Sequence, residues 1–208
     1  MRYNDSRGEH MNSETSSLRT KQALAAALKE KMKTKPFSKI TVRELIEECG
    51  VNRKTFYYHF QDIYALLRWL FEEEAIQVVK QFNLLLDWEE AIGFTCDYIQ
   101  ENRDVLQCAC RSIGRDILKR FFFSDFIGIT ESVVNDSEKR MNRFLPPALK
   151  SYYCKFLTEA IAGMMLSYIE EDYSYSRQDS IDNITVILRT SITGLLMDMG
   201  TKEPPKCN

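Results

Sequence analysis

The chain has 208 residues, 44% of them hydrophobic and 12% aromatic, and a formal net charge of −2. That length suits one large domain or a small domain joined to a medium one, and the slight acidity excludes a uniformly basic nucleic-acid coat. No apolar run approaches the roughly 18 residues of a bilayer-spanning helix, and the polar start at Met1 to Asp5 lacks a signal-peptide core, so a soluble, cytoplasmic protein is expected.

Residues 1–16 are polar and aperiodic and read as a disordered leader. From about Ser17 to Lys33, Leu24, Leu28 and Met32 recur at helical spacing in alanine-rich sequence, which predicts a first helix. Lys29, Lys31, Lys33 and Lys35 form a basic run at its end, open to two readings: a solvated face, or neighbours of nucleic-acid phosphates. Pro36-Phe37 stops the helix, and Phe37 and Ile40 are placed to plug a small core.

Thr41-x-x-Glu44 is a capping-box pattern, and Val42, Leu45 and Ile46 share one face behind it. Gly50 stands where a left-handed residue ends a helix cheaply, and Asn52 is a good N-cap for the next one. In that next helix Phe56 and Phe60 are the apolar anchors, which leaves Arg53, Lys54, Thr55, Tyr57, Tyr58 and His59 to face outward. Two short helices about a glycine turn, the second loaded with polar and basic groups, describe a helix-turn-helix whose second helix enters the major groove. Charge is distributed accordingly: 12 Lys/Arg against 7 Asp/Glu in residues 1–60, and 16 against 23 in the remainder. A basic head on an acidic body suits a DNA reader joined to a domain that stays off DNA.

After Asp62 a long helix is expected to about Leu86, carried by Leu66, Leu67, Leu70, Phe71, Val78 and Phe82. Asp87 caps a further helix through Ile92, Cys96 and Ile99, with a break near Asn102 to Asp104 before an aromatic-rich segment at 112–134. Pro146-Pro147 begins a helix to Ile169, since proline is tolerated in a first turn. The polar hinge 170–174 separates it from a last helix, about Gln178 to Met199, and residues 201–208 read as a flexible tail. No strand, repeat or glycine-rich phosphate loop is evident, so the predicted fold is all-α.

At Thr41, Gly50-Val51-Asn52 and Phe56-Tyr57-Tyr58-His59-Phe60, followed by Asp62 and Leu66-Leu67, the chain resembles the TetR/AcrR family of bacterial transcriptional regulators. The resemblance spans roughly Thr20 to Phe71. The stretch from Lys35 to Glu74 is also similar to a smaller subgroup, the regulators resembling the dihydroxyacetone-kinase operon activator. The resemblance implies a DNA-binding head over 17–62 and a ligand-binding and dimerisation body over 63–200. It also implies a fourth helix that links the two, and an effector pocket between helices five to eight. One departure is local: family members often carry a phosphate-gripping Lys just after the His-Phe pair, where this chain has Gln61, Asp62 and Ile63. Backbone N–H groups at the helix start are the substitute donors there.

The resulting expectation is a ligand-responsive, DNA-binding regulator that acts as a homodimer on a palindromic double-stranded operator, with no membrane partner and no cofactor. Arg43 and the start of the second helix (Asn52, Arg53, Lys54, Thr55) are candidates for base edges, and Thr41, Tyr57, Tyr58 and His59 for phosphates. Trp88, Phe94, Phe122 and Phe126 are candidate pocket residues, with Tyr98 and Tyr153 as polar handles; each also reads as core. The small residues Gly163 and Gly194, beside Met164 and Leu195, mark the last two helices as the dimer contact. An enzyme is disfavoured, because the two histidines are His10 in the leader and His59 in the second short helix, and no paired carboxylates lie on an apolar face. The same shortage leaves Cys108-Ala109-Cys110 without partners for a closed zinc site, and the six cysteines read as reduced thiols. A helical interaction module without DNA binding would not need Arg53-Lys54-Thr55 and Tyr57-Tyr58-His59 exposed together.

Overall fold

Side-chain caps begin the three short helices after residue 40 and the last long helix. The computed structural model describes residues 6–76, 79, 88–170 and 176–203. Helix α1 runs Ser6–Thr34 and buries Leu24, Leu28 and Met32 on one face. Its backbone is helical from Ser6, eleven residues before the expected start at Ser17, which corrects the reading of 6–16 as disordered. The sequence there contains no proline to stop a helix, and its polar residues carry no apolar stripe from which one is read.

A 3-10 turn at Phe37–Lys39 leads into α2, Val42–Cys49. Its capping box is complete: the Thr41 hydroxyl accepts from the Glu44 amide at 3.3 Å, and the Glu44 carboxylate accepts from the Thr41 amide at 2.8 Å. Gly50 closes α2 at φ 64°, a left-handed turn that favours glycine. Asn52 caps α3 (Arg53–His59) and Asp62 caps α4 (Ile63–Phe71), each accepting a third-residue amide at 2.8 Å. Helix α4 passes directly into a π-helical turn, Glu72–Ile76. The expected continuation to Leu86 and the cap at Asp87 lie outside the described residues.

Helices α5 (Trp88–Glu101), α6 (Arg103–Ile113), α7 (Arg115–Met141), α8 (Pro147–Ile169) and α9 (Arg177–Met199) form the body. The expected single segment at 112–134 is instead divided: Gly114, at φ 89°, separates α6 from α7, which continues to Met141. Buried Glu138 accepts from the Leu145 amide at 2.9 Å and from Lys150 at 2.7 Å, closing the turn between α7 and α8. Phe144 and Thr201 pair as an antiparallel bridge, so the expected tail is held at its first residue. Helix α7 packs along α8, and α9 along α5. Among the described residues the architecture is all-α, and no helix is long and apolar enough to cross a membrane.

The apolar core does not stop between head and body. One cluster runs from Leu24, Leu28, Phe37, Leu45 and Phe56 through Leu66 and Leu70 to Leu106, Phe122, Ala162 and Leu166. Polar contacts reinforce the joint: the Phe37 amide donates to Ser112 at 3.1 Å, and Arg68 of α4 donates to Ser124 and Asp125 of α7 at 2.6 and 3.1 Å. A second cluster, including Val134, Leu157, Leu188 and Leu196, fills the far end.

Lys35 and the Thr41 amide and hydroxyl hold the Glu44 carboxyl at about 2, below its ordinary 4.5. A carboxylate depressed on folding stabilises above its unfolded pKa and loses that contribution as pH falls through the folded one. Urea unfolding should therefore show Glu44→Gln less stable than the parent at pH 7, with the gap closing between pH 5 and pH 2. Thr41→Ala should cost about 0.5–2 kcal/mol by the same measurement.

Candidate nucleic-acid interface and internal cavity

With Phe56 fully buried and Phe60 nearly so, α3 turns two adjacent rows outward, Arg53 with Tyr57 and Lys54 with Tyr58. Tyr58 is 81% exposed and touches His59 edge-to-face. The Arg53 guanidinium lies over the Tyr57 ring at 5.5 Å, with a hydrogen bond to its hydroxyl at 3.4 Å. Stacking of this kind holds a long side chain extended along the helix surface, where its remaining donors stay available. Arg43 is 82% exposed on α2, and its Nε donates to Glu47 at 2.7 Å. Asn52 and Thr55 are partly spent on local structure: the Asn52 carbonyl oxygen accepts both the Thr55 amide and the Thr55 hydroxyl. That leaves the Asn52 amide nitrogen as its donor toward a ligand.

The basic run at the end of α1 is paired with carboxylates. Lys29 pairs with Glu74 at 2.7 Å, Lys31 with Glu48 at 2.5 Å, Lys33 with Glu30 at 2.6 Å, and Lys35 with Glu44. Lys29, Lys31 and Lys35 fasten α1 and its end to the π turn and to α2, whereas Lys33 pairs within α1. Lys39, absent from the sequence-based candidates, is exposed two residues before Thr41. His59 is half-buried; burial, and secondarily the nearby Lys21 ammonium, push its imidazole below the ordinary 6.5, so it is neutral at pH 7.

A cavity of about 520 Å³ lies in the body. Its described walls are Val79, together with Ala91, Ile92, Thr95, Cys96 and Ile99 of α5, Phe126 and Ile129 of α7, Ile161, Met164, Met165 and Tyr168 of α8, and Ser180, Asn183, Ile184, Ile187 and Leu188 of α9. Of the sequence-based candidates, Phe126 lines this cavity, and Tyr98 and Phe122 line a small void that shares Thr95, Ile99, Phe126 and Met165 with it. Phe94 and Tyr153 line neither. Phe94 stacks on Tyr98, and the Tyr153 hydroxyl meets Ser191 at 2.7 Å. The side chain of Trp88 lies outside the described residues. Helical periodicity finds buried faces, but empty space arises only where several faces meet, so the α8 and α9 linings went unnoticed; the adjacent flexible Met164 and Met165 were the available sign.

Helices α8 and α9 also carry an exposed apolar face of Tyr152, Phe156, Val186, Ile187 and Met197. Gly163 and Gly194 lie on the outer side of the same helices, where a Cβ at either would meet nothing within 4 Å. Leu195 instead packs against the far core cluster, because it stands one residue round the helix from Gly194. Met164 is 36% exposed and Ile187 59% exposed, and both line the cavity as well.

Among the described residues no cluster of three or more His, Cys, Asp or Glu could hold a metal ion. Cys96, Cys110 and Cys154 are buried free thiols, and the Cys108 thiol donates to the Lys35 carbonyl at 3.5 Å.

Residues 20–70 match the family described as bacterial regulatory proteins, tetR family, and residues 87–190 match a transcriptional regulator C-terminal region. The HTH-type dhaKLM operon transcriptional activator DhaS of Lactococcus lactis subsp. lactis (strain IL1403) is 24% identical over 148 residues, 71% of this chain and 78% of that protein. A solved dihydroxyacetone kinase operon activator DhaS has a similar fold, with TM-score 0.62 at 21% identity, covering 88% of this chain and 98% of that one. A TetR transcriptional regulator from Streptococcus agalactiae 2603V superposes with TM-score 0.58 at 18% identity, covering 86% and 98%.

A proton NMR titration should give His59 a midpoint below 6.5, and Lys21→Met should move it upward. An unchanged midpoint in that variant would assign the shift to burial alone.

Proposed function

Because the chain belongs to the tetR family of bacterial regulatory proteins, we propose that it reads a palindromic operator as a homodimer and that a small molecule in its body sets the affinity. It is a transcriptional regulator, similar to the subgroup of the dihydroxyacetone-kinase operon activator. The observation that carries the DNA reading is the outward double row of α3, Arg53 with Tyr57 and Lys54 with Tyr58. The major groove is about 12 Å wide and admits one helix, and the N-terminal residues of that helix meet base edges. Arg43 exchanges its Glu47 partner for guanine O6 and N7, its natural bidentate acceptor. Thr41, Tyr57, Tyr58, His59 and Lys39 supply phosphate contacts. Asp62 occupies the α4 N-cap, so the phosphate grip that a lysine gives elsewhere in the family is carried here by neighbouring donors.

Two heads must stand about 34–36 Å apart to enter successive grooves on one side of the duplex. The exposed apolar face of α8 and α9 suits a second copy of the chain, and Gly163 and Gly194 allow two backbones to approach. Head and cavity communicate through α4. In the π turn that follows it, one oxygen of Glu74 accepts from Lys29 of α1 at 2.7 Å and from Tyr98 of α5 at 3.1 Å. Tyr98 stands beside the cavity wall, so displacement of Phe126 or Met165 by a ligand reaches α1 through two hydrogen bonds on a single carboxylate. Couplings of about 1–3 kcal/mol are typical of such links. Where the operator lies relative to the promoter decides whether binding represses or activates.

Selection from random duplex DNA should return an inverted repeat with half-sites one helical turn apart; enrichment of no sequence, or of a single half-site, would overturn the operator reading. On the selected site Arg43→Ala should cost about 1–3 kcal/mol and relax sequence preference, while Tyr57→Phe should weaken operator and random DNA alike.

Sedimentation at micromolar concentration should show a dimer. Gly194→Glu or Val186→Glu should give a monomer of unchanged helix content that no longer binds the repeat.

A further inference from the structure

We propose that the body cavity takes an uncharged, mainly apolar ligand whose one polar end is met by Asn183 and Tyr168. This rests on the reading of the cavity as the effector site and names the class of effector. The cavity, about 520 Å³, is within the range of small-molecule sites, about 300–1,000 Å³. Among the described residues its walls hold no lysine, arginine, histidine, aspartate or glutamate. An ionised carboxylate, phosphate or amine placed there would lose its hydration and gain no counter-charge, a penalty of several kcal/mol or more. A polyhydroxylated ligand fares little better, because most of its hydroxyls would face isoleucine, methionine and phenylalanine.

The few polar groups narrow the class further. Thr95 donates its hydroxyl to the Ala91 carbonyl at 2.8 Å, and Ser180 donates to the Ser176 carbonyl at 3.0 Å. Their protons are spent on their own helices. Among the described lining residues, Asn183, two turns into α9, and Tyr168, at the end of α8, are the nitrogen and oxygen donors left to meet a ligand carbonyl, ether or hydroxyl. One pair of charges beside this end is closed on itself: the Arg177 guanidinium donates to both oxygens of Asp97, at 2.5 and 2.6 Å. An anionic ligand would have to break that bidentate pair to recruit Arg177.

A matched pair of fluorescent probes tests the class. N-phenyl-1-naphthylamine is neutral, and 1-anilinonaphthalene-8-sulfonate has the same skeleton with one sulfonate added. Titrated against the full chain, the neutral probe should saturate at least tenfold more tightly. Decan-1-ol should displace it, whereas decanoate and decylamine at equal concentration should not. Ala91→Phe and Ile184→Trp each fill the cavity, and whichever retains the parent's circular dichroism should lose the neutral probe. Equal or tighter binding of the sulfonate, lost in the filled variants, would overturn the ligand class and leave the cavity as the effector site. Neutral-probe binding undiminished in the filled variants would remove the cavity as a site, and the effector reading with it.

Discussion

Helices of eight, seven and nine residues do not hold themselves in water, and α2, α3 and α4 are that short. Nucleating a helix fixes several backbone dihedrals for one hydrogen bond, and these elements have few further turns over which to recover the cost. Side chains make up the difference. Thr41 with Glu44, Asn52 and Asp62 each satisfy an amide that the first turn leaves without a partner, and Gly50 turns the chain between α2 and α3. Lys35 ties the α2 cap to the end of α1, and Phe56 seats α3 on the core. The orientation of Arg53, Lys54, Tyr57 and Tyr58 depends on this set of local bonds.

Local chemistry of that kind is legible in a sequence, which is why residues 41–62 announce the two short helices, their caps and the exposure of Arg53, Lys54, Tyr57 and Tyr58, although Thr55 and His59, expected to face outward, lie half-buried. Pairings across the chain are not. Lys29, Lys31 and Lys35 find carboxylates on other elements, Glu74 standing 45 residues from Lys29, and no spacing rule announces such a partner. The early start of α1 was missed because periodicity detects a buried stripe, and polar sequence without one is helical or irregular with equal plausibility. Gly114 divides α6 from α7 by a positive φ inside a stretch of continuous apolar pattern. The cavity was harder still: Phe94 and Tyr153 are as apolar and as well spaced as Phe126, yet each meets a neighbour where Phe126 meets space.

The last two helices carry three surfaces at once. Leu166 and Leu188 face core, Ile161 and Ile184 face the cavity, and Phe156 and Val186 face outward. Met164 and Ile187 belong to two of these surfaces, since both line the cavity and both are exposed. A ligand and a second copy of the chain would therefore press on the same two side chains from opposite sides.

The core that runs unbroken from Leu24 and Phe56 to Leu106 and Leu166 bears on how such a protein can diversify. Helix α1 packs against α6 of the body as well as against α2 and α4 of its own head. The reading head is thus not a detachable module, and a chimera that joined it to another body would need matching apolar contacts along the whole of α1 and α4. Tightly packed interiors tolerate such exchanges poorly. Arg53, Lys54, Tyr57 and Tyr58 of α3 are exposed, so under the proposed reading new operator preferences would be reached by substitution at those positions rather than by exchange of domains.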